Sequence, residues 1–122
     1  MRILITGSRD WDDYDLIYKT LEDWYSQQGY PKDVTLVSGA CRTGADRMAE
    51  KAASLIGFTV EHHPADWNRH GRGAGFIRNN EMIKLGADVC FAFILNSSSG
   101  STHTAKYAEK AGIPTFKFEK VK

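Results

Sequence analysis

Val89-Cys90-Phe91-Ala92-Phe93-Ile94-Leu95 is an unbroken apolar run. A strand of that kind must bury both faces, as the central strands of a parallel sheet do. Arg2–Thr6 holds a shorter run of the same type, Ile3-Leu4-Ile5, which ends at Gly7. Two further strand-like segments alternate instead. Phe58, Val60 and His62 interleave with Thr59, Glu61 and His63; Phe116 and Phe118 interleave with Thr115, Lys117 and Glu119. Alternation belongs to half-exposed edge strands. Val34–Val37 supplies one more strand. Numbered along the chain, strands one (Arg2–Thr6) and four (Asp88–Leu95) are therefore central. Strands three (Phe58–His62) and five (Ile113–Phe118) are edges. The predicted order is 3-2-1-4-5, in preference to 2-1-3-4-5, which would bury strand three.

Helical patterns fill the gaps. Tyr14, Ile17, Tyr18, Leu21, Trp24 and Tyr25 fall on one helical face, with Asp12 or Asp13 as N-cap and Gly29-Tyr30-Pro31 as the stop. Ala45, Met48, Ala49, Ala52, Leu55 and Ile56 form a second face, closed by Gly57. A weaker pattern covers about 74–85, and Thr102–Ala111 forms the last helix, stopped by Gly112. Residues 64–73 and Asn96–Gly100 read as loops. Strand–helix alternation of this kind implies a parallel sheet with crossover helices on both faces. The predicted fold class is α/β: a Rossmann-like three-layer α/β/α sandwich on a five-stranded parallel sheet, forming a single domain over residues 1–122.

The 122 residues are 42% hydrophobic and 25% charged, which fits one globular domain and excludes disordered or collagen-like chains. No apolar stretch is long enough to span a membrane, and Met1 runs straight into a strand without a basic and apolar leader. Cys41 and Cys90 make no disulfide framework, so the expected location is the cytoplasm. Net charge is +1. The first 61 residues hold 7 basic and 10 acidic residues, and the remaining 61 hold 9 basic and 5 acidic. A nucleic-acid binder is expected to be more basic, with aromatics interleaved among the cations, so the composition argues against one.

In open parallel sheets, ligands bind beyond the C-terminal strand ends, at the switch point. Here that point lies between strands one and four. Strand one runs into Gly7-Ser8-Arg9-Asp10-Trp11, strand two into Ser38-Gly39-Ala40-Cys41-Arg42-Thr43-Gly44-Ala45-Asp46, and strand four into Asn96-Ser97-Ser98-Ser99-Gly100-Ser101-Thr102. Each loop leads to a helix N-terminus, where free amides and the helix dipole attract anions. Any one such loop is an ordinary βα turn; three around one crevice point to a phosphate-bearing ligand. The Walker signature is absent, and so is G-x-G-x-x-G after strand one. Ordinary P-loop hydrolysis and dinucleotide oxidoreduction are disfavoured.

Four motifs occur in order: Gly7-Ser8-Arg9; Ser38-Gly39-Ala40 with Gly44-Ala45-Asp46; Ala74-Gly75-Phe76-Ile77-Arg78-Asn79-Asn80-Glu81-Met82; and Ser99-Gly100-Ser101-Thr102. Together they resemble the YspA-like, YpsA-related branch of the SLOG superfamily, which includes the DNA-processing DprA/Smf proteins and the Lonely Guy cytokinin-activating enzymes. The resemblance runs from Met1 to about Phe118. It implies a Rossmann-like domain, bacterial or phage, that binds a nucleotide or a nucleotide-derived ligand such as ADP-ribose, NAD or a purine nucleotide. The ligand-binding residues it implies with the loops are Gly7, Ser8, Arg9, Ser38, Gly39, Ala40, Gly44, Asp46, Arg78, Asn79, Ser99, Gly100, Ser101 and Thr102. Lonely Guy enzymes cleave the base–ribose bond with an Arg and a Glu. Arg78 stands near the Arg position, but Ser101-Thr102-His103-Thr104-Ala105 holds no Glu. Asp10, Asp46 or Glu81 would have to supply the carboxylate. The expectation is therefore a binding or sensing domain, with a nucleotide hydrolase as the alternative.

The remaining candidates carry less. His62, His63, His70 and His103 with Cys41 show no metal-ligand spacing. Cys90 reads as a small buried strand residue, and a nucleophilic Cys41 would need a neighbouring base. Trp11 and Trp67 flank the expected crevice, and either could stack on a base or pack under a loop. The aromatic stripe of the first helix suits a core or a homo-oligomer interface. Two expectations concern single residues. Gly39→Val and Gly44→Val should abolish binding and spare the fold. Arg78 should touch the ligand rather than pair with Glu50 or Glu81.

Overall fold

The computed structural model describes residues 1–122. Strand β1 (Arg2–Gly7) lies between β2 (Thr35–Ser38) and β4 (Val89–Leu95), with β3 (Thr59–His62) and β5 (Thr115–Lys120) at the edges. All neighbours are parallel, and the order is β3-β2-β1-β4-β5. Ile3 aligns with Leu36 on one side and Val89 on the other. Every residue of β4 is buried, whereas none of β3 or β5 is. The fully apolar strands are central because only there are both faces covered.

Helices α1 (Tyr14–Gln27) and α2 (Gly44–Ile56) cover one face of the sheet. Ile3, Ile5, Leu36, Phe91 and Phe93 point toward them and pack on Ile17, Leu21, Trp24, Ala49 and Ala52. The intervening residues Leu4, Val37 and Cys90 face the other side, against Met82 and Ile83 of α4 (Ala74–Leu85) and Ala108 of α5 (Ser99–Lys110). Ala92 and Ile94 meet Ala105 there. The result is the Rossmann-like three-layer α/β/α arrangement. The stripe on α1 serves the core: Ile17, Leu21 and Trp24 are buried, and Tyr14, Tyr18 and Tyr25 pack half-buried against it. Asp13 caps α1 by accepting the Leu16 amide at 3.1 Å. No helix is long and apolar enough to cross a membrane.

Two elements differ from expectation. Residues 64–73 are not all loop: Asp66 accepts the Arg69 amide at 3.1 Å and caps a four-residue helix, α3 (Trp67–His70), followed by a 3-10 turn. Helix α5 begins at Ser99, not Thr102. Ser-Gly-Ser-Thr lacks apolar periodicity, so no local signal marks this first turn as helical.

Candidate functional site

A crevice of about 520 Å³ opens beyond the C-terminal ends of β1 and β4, where the strand order reverses. Small-molecule sites commonly span about 300–1,000 Å³ and favour this position. Its walls are the β1–α1 turn, α3 with the first turns of α4, and the β4–α5 turn. Gly7, Ser8, Arg9, Asp46, Arg78, Asn79, Ser99, Gly100 and Ser101 line it, all expected from sequence. Ser38, Gly39, Ala40, Gly44 and Thr102 do not reach its surface.

The lining groups divide by what else they do. Ser8 is buried, and its polar atoms are engaged inside the protein. Its amide donates to Phe93 O at 2.9 Å, its hydroxyl accepts from the Leu95 amide at 2.8 Å, and its carbonyl accepts from Trp11 and Ala45. Ser8 thus locks the end of β1 to β4 and to the start of α2. At Gly7 a Cβ would collide with the Ala45 side chain and stand 2.8 Å from Phe93 O. The missing side chain lets α2 pack closely on β1.

The first turn of α5 is different. Ser98 at its N-cap makes no side-chain cap bond, and the Thr102 amide is the one that finds Ser98 O, at 3.0 Å. The preceding amides, of Ser99, Gly100 and Ser101, have no intrahelical acceptor, as in the first turn of any α-helix. The three residues line the crevice, at the positive end of the helix dipole. Asn96 and Ser97 in the same turn, and Ala40 after β2, have φ of 52°, 53° and 58°. Left-handed non-glycine residues cost energy and tend to cluster at binding sites.

Asp46 lies on the crevice floor and is 7% exposed. Burial pushes its carboxyl up to about 6, against the pull of the Cys41 amide, which it accepts at 3.3 Å, and of the Arg78 and Arg9 charges. Glu50, one helical turn along α2, raises it further. Asp46 is thus a buried carboxylate beside two arginines, open to a ligand on one side.

Arg78 sits in the second turn of α4 and pairs with neither Glu50 nor Glu81. Its Nη1 donates to Gly39 O and, at 3.4 Å, to His63 O; its Nε donates to Asn79 Oδ1 at 2.7 Å. Asn79 Nδ2 donates to Thr104 Oγ1 at 2.9 Å, and that hydroxyl donates to Gly100 O at 2.9 Å. One chain of bonds therefore ties the β2–α2 loop, α4 and the first turn of α5. Thr104 is not among the expected site residues: with the helix expected from Thr102, its four-residue spacing from Gly100 carries no signal, and only the observed start at Ser99 reveals it.

This wiring explains Gly39. A Cβ there would lie 2.6 Å from Arg78 Nη1 and 2.9 Å from Asp46 Oδ2, so the absent side chain makes room for the pair. Gly44 has φ +71°, and a Cβ would strike the Ser8 and Arg9 backbone. The expectation that Gly44→Val spares the fold is thereby corrected. Ser38 is buried; its hydroxyl donates to Glu50 at 2.7 Å and accepts from the Ala40 amide, which shapes the turn. The Thr102 hydroxyl is buried without a partner.

The two tryptophans separate. Trp11 is buried against Phe93 and donates to Asp13 O at 3.1 Å, whereas Trp67 lines the crevice. Of the alternative carboxylates, Asp10 and Asp46 line the crevice and Glu81 does not. Cys41 lines it too, while burial pushes the Cys90 thiol up to about 12. His62 and His63 approach Glu50 and Glu61, and His103 packs edge-on to Phe76.

The family model described as YspA, cpYpsA-related SLOG family matches residues 1–70. The chain is similar to the Gene 61 protein of Mycobacterium phage D29, 44% identical over 96% of this chain and 95% of that protein. No solved structure matches it.

Proposed function

This chain belongs to the YspA, cpYpsA-related SLOG family, and we propose that its crevice binds a phosphate-bearing nucleotide or nucleotide-derived ligand as a binding or sensing domain. The classes in view are ADP-ribose, NAD and purine nucleotides. One observation carries the reading: the first turn of α5, which has no side-chain cap, lines a crevice that Arg78 and Asp46 line as well. Amides at a helix N-terminus suit a phosphate, and a carboxylate suits sugar hydroxyls. Mass spectrometry of ligand co-purifying with the protein tests this directly. Recovery of a nucleotide-derived compound supports it; a protein that carries none and binds none of the three classes in titration counts against it.

Arg78→Ala is expected to weaken binding by about 10–150-fold in calorimetric titration, the cost of a lost charge-assisted contact. It also removes the donor to Gly39 O and a favourable charge beside Asp46. Arg78→Lys should rescue only part, because the planar fork is lost. Binding within twofold of wild type in Arg78→Ala would remove the residue from the site.

A second reading is hydrolysis of a nucleotide N-glycosidic bond. The observation that favours it is Asp46, a buried crevice carboxylate able to stabilise an oxocarbenium-like transition state or activate water. Incubation with nucleotides, followed by chromatography for free base and phosphate, separates turnover from binding. Turnover that survives in Asp46→Asn would exclude this role.

A further inference from the structure

The three tryptophans differ in setting: Trp11 is 2% exposed, Trp24 8% and Trp67 49%. Trp67 stands on α3 at the wall of the crevice, and its ring edge passes over α4, with Cη2 3.6 Å from where a Gly75 Cβ would be. A Cβ at position 75 would only touch the ring at ordinary van der Waals distance. The Arg9 guanidinium carbon lies 5.7 Å from the Trp67 ring centroid. Phe76, 47% exposed, lines the same crevice and is braced edge-on by His103 at 5.4 Å.

A half-exposed indole forgoes part of the hydrophobic stabilisation it would gain by burial. Its neighbours in the crevice are mostly polar or charged, so a planar apolar surface there is suited to a planar partner. A guanidinium is flat, delocalised and stacks on aromatic faces, which are also the properties of a protein-bound nucleobase.

We propose that Trp67 is the stacking platform for the ligand's heteroaromatic base. The base takes the place beside the indole that Arg9 now holds, and the displaced guanidinium turns to the ligand's phosphate. This inference rests on the nucleotide reading of the crevice and adds to it a base subsite and an exchange of partners by Arg9.

Adenosine 5′-monophosphate and ribose 5-phosphate, titrated by calorimetry into wild type, Trp67→Phe and Trp67→Ala, provide the test. They share sugar and phosphate and differ in the base. Wild type should prefer the nucleotide, and Trp67→Ala should lower its affinity by about 5–150-fold, the range for one base stacked on an aromatic ring. Affinity for ribose 5-phosphate should stay within twofold, and Trp67→Phe should keep most of the preference. Because Trp11 and Trp24 are buried, the red-shifted part of the tryptophan emission belongs to Trp67. The nucleotide should quench it, and ribose 5-phosphate should not. Equal affinity of wild type for the two compounds, or an equal loss of both in Trp67→Ala, overturns the platform and leaves the phosphate site standing. If neither compound binds wild type, the platform falls, and ADP-ribose and NAD titrated in the same way decide whether the nucleotide reading falls with it.

Discussion

Gly44→Val is expected to cost the fold more than about 4 kcal/mol, a loss confined to a few mechanisms such as backbone strain and overpacking. Both operate here. Gly44 opens α2 with φ +71°, a conformation that β-branched residues scarcely adopt. The new Cβ would also meet the Ser8 and Arg9 carbonyl groups. That backbone cannot yield easily, because Ser8 is bonded to Phe93 and Leu95 of the central strand. Against a typical net stability of about 5–15 kcal/mol, such a loss is near the limit of folding. Urea unfolding followed by circular dichroism measures it, and a midpoint close to wild type would refute the argument. Gly100→Ala is the matched control. Nothing lies within 4 Å of its Cβ, and glycine inside a helix costs about 0.5–1 kcal/mol relative to alanine, so stability should hold or rise. Any binding lost in Gly100→Ala then reports on the crevice rather than the fold.

Asp46→Asn is expected to make the protein more stable above pH 6 and weaken ligand binding. The Asp46 carboxyl titrates at about 6 when folded, against an ordinary value of 3.8 for an aspartate in water. Between those values the folded chain holds more protons than the unfolded one, so stability falls as pH rises through the window. Two pKa units set the ceiling of that loss at about 3 kcal/mol. The amide keeps the shape and can still accept the Cys41 N–H, but carries no charge to desolvate. Thermal melts at pH 4 and pH 8 should show little difference at the first and a higher midpoint for the variant at the second. An Asp46→Asn protein that melts below wild type at pH 8 would show that the Arg78 and Arg9 charges outweigh burial. Greater stability with weaker binding would mark Asp46 as a residue whose charge serves the ligand at the expense of the fold.

The distance over which each signal acts separates what was legible from what was not. The Gly-Ser loops were visible because turn chemistry is local: Ser99, Gly100 and Ser101 do line the crevice. Their helical state was not, since the periodicity that identifies a helix begins only with Ala105 and Ala108. Trp11 and Trp67 looked equivalent in sequence because both flank strand-end loops. Only the packing of Trp11 on Phe93, 82 residues away, buries one and leaves the other at the crevice. Gly39 and Gly44 looked like one phosphate loop, yet the first leaves space for Arg78 and the second permits a backbone turn.

The sequence by itself determined the architecture. Apolar periodicity distinguishes helix from strand, and continuous against alternating runs distinguish central strands from edges. These signals lie within one element, and burial of apolar surface is non-directional, so the pattern alone suffices to choose the sheet order. Only the tertiary structure decided which polar groups are spent and which are free. It bonded the Ser8 atoms internally, carried Arg78 to Gly39 across the fold, and sank Asp46 beneath Arg78 and Arg9. Hydrogen bonds and buried charges depend on distance and direction between residues far apart in the chain, and those exist only once the sheet has brought its strand ends together.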